Sequence, residues 1–173
     1  PSGNRTETNW SDYNTFEFIS GHQANLNWQS STGFAEEGKR KSVVQYFDGS
    51  LRNRQTVTKD NTTNTTVVAE SLYDYQGRPV IQVLPSPTIN SIIKHTPNFN
   101  NFLNSEAAYK DNYDKASTNN DYCNGAAPAL DAAKGGAAEY YSPNNPEKDA
   151  GNNKLIPDAK GFPYTESKYL QDN

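Results

Sequence analysis

Tyr46-Phe47-Asp48-Gly49-Ser50-Leu51-Arg52 is followed, 26 residues on, by Leu72-Tyr73-Asp74-Tyr75-Gln76-Gly77-Arg78 in the same register. With Asp48 set on Asp74, Phe47 falls on Tyr73, Arg52 on Arg78 and Val57 on Val83. Each copy holds an aromatic–Asp pair, an Arg four residues after the Asp, and then a strand-like segment. In the second copy Gly77 stands where a tight hairpin turn needs positive φ, which glycine adopts at little steric cost. The short Asp side chain can accept from backbone amides across such a turn, and the Arg can return a fork of donors to a carboxylate or to loop carbonyls. The first copy has Leu51 at the glycine position, with Gly49 displaced to just after the Asp, so its turn type stays open. A repeat of roughly 20 to 50 residues usually marks a stacked array in which no unit buries its own apolar face.

Outward from these copies the pattern predicts a β-meander. Val43–Phe47 reads as a strand, Asp48-Gly49-Ser50 as a turn and Gln55–Thr58 as the returning strand. Asp60–Thr66 is a polar hairpin tip, Val67–Tyr73 enters the second copy, and Val80–Leu84 leaves it. Pro85-Ser86-Pro87 is expected to stop that strand, because proline removes a ladder donor. Upstream, Leu26, Trp28 and Phe34 at even spacing and Phe16-Glu17-Phe18-Ile19 suggest further short strands. After Pro97 the chain turns Asn-, Ala-, Gly- and Pro-rich, which predicts long irregular loops. One short helix is expected within Ala126–Ala138, trimmed by Pro128 and Gly135-Gly136. Asp158, Gly161 and Pro163 then repeat the spacing of Asp74, Gly77 and Pro79, with Phe162 in place of Arg, and are read as a degenerate third unit. The resulting division is 1–41, a polar region with short strands; 42–97, two repeats; 98–154, an irregular insertion; and 155–173, the third repeat.

Composition bounds what such a chain does. Hydrophobic residues are 33% of the 173, below the roughly 45–50% usual for globular domains, so a dense aliphatic core is not expected. Eleven Tyr and seven Phe suggest that aromatics, more than aliphatics, supply the buried area. A net charge of −4 gives no electrostatic pull toward nucleic acid or an anionic membrane, and no stretch is apolar enough for a membrane span. Cys123 is the one cysteine, which rules out an internal disulfide. The chain holds no Met and opens at Pro1, and with two clear repeats where arrays need about three, it is expected to be a fragment of something longer.

Tyr73-Asp74-Tyr75-Gln76-Gly77-Arg78-Pro79 resembles the motif of the Rhs/YD-repeat family, roughly Tyr-Asp-x-x-Gly-Arg, and Tyr46–Arg52 is similar to a variant of it. Phe34–Lys41 and Tyr140–Pro146 look similar to segments of large Rhs-like proteins from bacteria that use type IX secretion. The resemblance implies a β-ribbon that spirals into a larger sheet or hollow shell, often enclosing or carrying a toxin. It also implies a secreted or cell-surface location, with the remainder of a larger polypeptide or a surface or secretion complex as partner. The family motif is structural, so it brings no catalytic residue and no cofactor.

Sharper chemistries fare poorly against plain ones. Cys123 with His22 or His95 has no local context for a nucleophile and base, and these three residues lack zinc-ligand spacing. Asp48 and Asp74 occupy equivalent turn positions, so capping accounts for both without glycosidase chemistry. Asp111, Asp114 and Asp121, with Asn112, Asn119 and Asn120, are rich in oxygen ligands, but their spacing is not that of an EF-hand loop. Trp10 and Trp28 would serve a free-standing carbohydrate-binding β-sandwich, the second reading, with a glycan as partner. The expectation is therefore an all-β, non-catalytic structural chain built on Tyr46, Phe47, Asp48, Arg52, Tyr73, Asp74, Gly77 and Arg78.

Overall fold

The computed structural model describes residues 22–100, 129–148 and 155–170. Six strands form one antiparallel sheet in strict chain order: β1 (Asn27–Phe34), β2 (Arg40–Phe47), β3 (Asn53–Asp60), β4 (Thr65–Tyr73), β5 (Pro79–Thr88) and β6 (Tyr164–Glu166). The fold is all-β, with one helix, α1 (Gly136–Tyr140), and three single-turn 3-10 segments among the described residues. Trp10, Phe16–Ile19, Cys123 and the Asp111–Asp121 cluster lie outside those residues.

Alternation sets the two faces of the sheet. Val44 pairs with Val57, and Val57 with Val68, so these three form a row across the centre of the covered face. Tyr46, Gln55 and Glu70 form the next row, and Leu72 and Ile81 the one beyond. Val43, Gln45, Thr56, Thr58, Val67 and Ala69 point the other way and stay half-buried. At roughly 25 cal/mol per Å² of apolar surface, the covered rows dominate the sheet's stabilisation.

What covers them is the insertion between β5 and β6. Phe99 and Ile93 pack on Val44, Tyr46, Val57 and Val68, while Ala137, Leu130 and Tyr141 pack on Leu72, Ile81, Val83 and Tyr164. The described residues between β5 and β6, Ile93–Asn100 and Leu130–Tyr141, therefore act as a cover. Polar ties hold it: the Gln55 side chain donates to the Thr96 carbonyl at 2.9 Å and accepts from the Thr96 amide at 2.8 Å. Tyr141 donates to the Pro85 carbonyl at 2.7 Å.

Three expectations need correction. Among the described residues aliphatic side chains, not aromatic ones, lead the core, with Val44, Val57, Val68, Leu72, Ile81 and Val83 buried while Phe34, Tyr75 and Phe162 are exposed. β5 runs through Pro85-Ser86-Pro87 to Thr88. The register skips between Val68 and Glu70, so a bulge in β5 takes up Leu84 and Pro85, and the Leu84 amide turns out to donate to the Pro163 carbonyl at 2.8 Å. A bulge is where a strand tolerates a missing donor. Gly135-Gly136 also starts a helix instead of ending one, α1 running from Gly136 to Tyr140. Residues 126–128 of the expected helix lie outside the described residues.

Candidate functional site

The two Asp-centred hairpins join β2 to β3 and β4 to β5 at the same end of the sheet, and they are built alike. In the first, Asp48 Oδ1 accepts from the amides of Ser50 at 2.9 Å and Arg52 at 3.1 Å, while Oδ2 accepts from Arg52 Nε at 2.8 Å. In the second, Asp74 Oδ1 accepts from the amides of Gln76 at 2.9 Å and Arg78 at 2.8 Å, and Oδ2 from Arg78 Nε at 2.7 Å. The backbone repeats too, with the Asp amide donating to the Arg carbonyl at 3.0 Å in both. One carboxylate thus closes each turn through a charge-assisted bond and two amide bonds.

This geometry resolves the turn type of the first copy. Leu51 takes φ 59° and Gly77 φ 82°, so both copies use the same left-handed position, and Leu51 occupies it at a steric cost. Leu51 is 74% exposed, so packing gains little there. Leu51→Gly is therefore expected to stabilise the chain by about 0.5–1 kcal/mol, and Gly77→Leu to destabilise it by about 1–2 kcal/mol, as read from urea midpoints. Opposite signs at equivalent positions are the check; equal signs would mean that the turns differ.

Burial alone would raise the Asp48 carboxyl, but the Arg52 and Ser50 amides and the Arg52 guanidinium outweigh it and hold it below the ordinary range. Asp74 shows the same balance, burial opposed by the Arg78 amide and guanidinium and the Gln76 amide. A carboxyl lowered on folding contributes stability that is present above its unfolded value and is lost as pH falls through the folded one. Acid titration is therefore expected to weaken the fold from about pH 4 downward. Asp48→Asn with Asp74→Asn should flatten that limb in circular dichroism at fixed temperature.

Successive hairpins are coupled by one recurring contact. The Arg52 guanidinium lies 5.4 Å from the Tyr73 ring centre, Arg52 also donates to the Asp74 carbonyl at 3.4 Å, and the Tyr73 hydroxyl donates to the Asn53 carbonyl at 3.0 Å. One unit on, the Arg78 guanidinium lies 4.3 Å from the Tyr169 ring, and the Tyr169 hydroxyl donates to the Pro79 carbonyl at 3.0 Å. Asn53 and Pro79 each follow the staple Arg. β6 pairs with β5 in the register Ile81 to Glu166, and the Ser167 amide donates to the Val80 carbonyl at 2.7 Å, which brings Tyr169 opposite Arg78. Tyr169 thus stands to the second staple as Tyr73 stands to the first. Its sequence neighbourhood shares no Asp with the motif, so nothing short of the strand register reveals it.

The remaining motif residues are placed as follows. Phe47 and Tyr73 are half-buried, at the ends of β2 and β4 next to the staples. Tyr46 is buried on the covered face; its hydroxyl donates to Gln23 Oε1 at 2.6 Å, and burial, opposed by a bond with the His95 backbone, pushes it up to about 12. Asp158 accepts from the Lys160 amide at 2.8 Å in a turn ahead of β6, with Gly161 at φ 85° and Pro163 buried. Phe162 stands at the Arg position there, so the carboxylate–guanidinium bond of the first two turns has no counterpart.

Sequence reasoning missed a polar cluster at the middle of the covered face. Glu70 accepts from Gln55 Nε2 at 2.8 Å and from Asn100 Nδ2 at 2.5 Å, and Asn100 Oδ1 accepts from the Ala137 amide at 2.8 Å. The available signal was Gln55 and Glu70 in phase with Val57, Val68 and Leu72, polar residues on an inward register. Among the described residues no group of three His, Cys, Asp or Glu is placed to hold a metal ion, and no helix is long and apolar enough to cross a membrane.

No curated protein and no solved structure matches the chain. A family model described as "Domain of unknown function (DUF6443)" matches residues 22–129. That span takes in β1 to β5, both Asp–Arg staples and the covering residues Ile93–Asn100, more than half of the chain, and the protein belongs to this DUF6443 family.

Proposed function

We propose that the chain is a non-catalytic structural part of a large secreted or cell-surface Rhs/YD-repeat protein, adding strands to a β-shell or surface assembly. One observation carries this reading: the Tyr–Arg–carbonyl contact between the first and second units recurs between the second staple and Tyr169. An arrangement that recurs from unit to unit is the property an extendable array requires. The parent protein would be type IX secretion cargo or a toxin carrier, as the resemblance to Rhs-like proteins implies.

The test is the mass of the natural polypeptide in culture supernatant and cell-surface fractions. A chain many times 19.2 kDa, cleaved to this region by limited proteolysis, is the expected result. A natural polypeptide of that mass alone, or one confined to the cytoplasm, overturns the proposal. The carbohydrate-binding reading draws less support: Trp28, 37% exposed, is packed in a T-shaped pair with His22, ring centres 4.8 Å apart, and no second tryptophan joins it among the described residues.

A further inference from the structure

We propose that the cleft between the end of β5 and α1 binds an organic cation, a guanidinium or ammonium group carried on a side chain or a small molecule. The cleft is a cavity of about 360 Å³, within the roughly 300–1,000 Å³ of small-ligand sites. Ile89, fully exposed just past β5, and Phe99, buried on the sheet, give it apolar surface. Tyr140, Glu139 and Glu147 also line it. One buried side chain places Tyr140 and Glu147 together. Asn145 Nδ2 donates to the Tyr140 carbonyl at 2.7 Å, and Asn145 Oδ1 accepts from the Glu147 amide at 2.9 Å. The Tyr140 ring meets the Tyr141 ring edge-on with centres 4.9 Å apart, and the Tyr141 hydroxyl is tied to the Pro85 carbonyl of β5. Aromatic ring and carboxylate are thus positioned before a ligand arrives, which lowers the ordering cost of binding.

The class of ligand follows from what the same chain does elsewhere. At each staple a carboxylate, a guanidinium and a tyrosine ring meet: Asp48, Arg52 and Tyr73, then Asp74, Arg78 and Tyr169. The cleft has the ring and the carboxylates without the cation. Among the described residues no Lys or Arg forms an ion pair with Glu139 or Glu147 or stacks on Tyr140. The Tyr140 phenol is held above its ordinary range, by burial first and then by the Glu147 charge, so that charge is felt at the ring. A cation placed there is attracted by both the carboxylates and the ring. Both carboxylates are exposed, so salt screens part of that attraction and the affinity is modest. Thr88 pairs with Thr66 at the start of β4, so the cleft lies toward the end of β5 away from the Arg78 staple, and it does not depend on the chain being part of an array.

Titration of the 173-residue chain with N-acetyl-arginine amide, followed by amide proton and nitrogen shifts, tests the site. Saturable shifts of the Ile89, Tyr140 and Glu147 amides are expected, with a dissociation constant on the order of 1 mM. N-acetyl-citrulline amide keeps the shape and loses the charge, and should bind at least about fivefold more weakly. Glu147→Gln, at an exposed position that should not disturb folding, and Tyr140→Leu should each weaken the arginine probe by about two- to fivefold. Glu37→Gln, in the turn between β1 and β2, should leave its affinity unchanged. Agmatine is the second probe: tighter binding than the amide assigns the site to a free small cation, weaker binding to a peptide side chain, and either supports the proposal. Equal binding of the arginine and citrulline probes, an affinity indifferent to Glu147→Gln, or no saturation by about 50 mM overturns it.

Discussion

Gly136→Ala is expected to destabilise the chain by about 2–4 kcal/mol, and to do so by unseating the cover while sparing the hairpins. A Cβ at Gly136 would stand 2.5 Å from Asn100 Oδ1, 2.5 Å from the Phe99 carbonyl oxygen and 2.9 Å from the Asn100 Cα. Two of those three atoms are backbone, so no side-chain rotation relieves the overlap. Forced overpacking costs about 1–3 kcal/mol, and φ +60° adds about 1–2 kcal/mol for any L side chain. Asn100 is also the acceptor for the Ala137 amide and a donor to Glu70, so displacing it breaks the connection from α1 to β4. Gly33→Ala is the control: Gly33 lies on the exposed strand β1 with nothing within 4 Å of its Cβ position, and should change stability by less than about 0.5 kcal/mol. Urea titration followed by near-ultraviolet circular dichroism reads both, and equal effects would mean that the close approach at Gly136 is not retained in solution.

The difference between these two glycines shows where reading the sequence succeeds and where it stops. β2 to β5 were legible because their signals are local: alternation of Val, Tyr and Thr, and an Asp that folds its own turn. The Asp48 and Asp74 staples each close within four residues, which is why the motif alone foretold them. Pro85 and Pro87 misled because the bulge that accommodates them depends on β4, and the Leu84 amide is satisfied by Pro163, far along the chain. The Asp, Gly and Pro spacing drew attention to Asp158–Pro163, whereas the Tyr73-like position belongs to Tyr169, fixed by pairing with β5. Glu70 and Asn100 are 30 residues apart in sequence, and nothing local to either announces the other. What was not legible is what tertiary contact decides.

Val57 carries the second large effect. It is fully buried, pairs directly with Val44 on β2 and Val68 on β4, and lies in the cluster closed by Phe99. Val57→Ala is expected to cost about 2–3 kcal/mol, because strands on both sides hold the backbone in place and the cavity cannot collapse. Val57→Thr keeps the shape and buries a hydroxyl, which costs about 1–3 kcal/mol unless it finds an acceptor. Val57→Asp puts a charge into the centre of the sheet and should leave no folded chain at neutral pH. The neighbouring Thr58 points to the open face, and its alanine variant should stay within about 0.5 kcal/mol, whereas Thr56→Ala also removes the acceptor of the Asn53 side-chain amide at 2.9 Å and should cost about 1 kcal/mol. The series discriminates sharply because adjacent residues are predicted to differ several-fold, with the large cost confined to the odd position. A large loss at Thr58 would show that the second face is covered as well. That would be the first direct sign of a neighbouring layer, since strands of a shell bury both faces where a second layer lies against them.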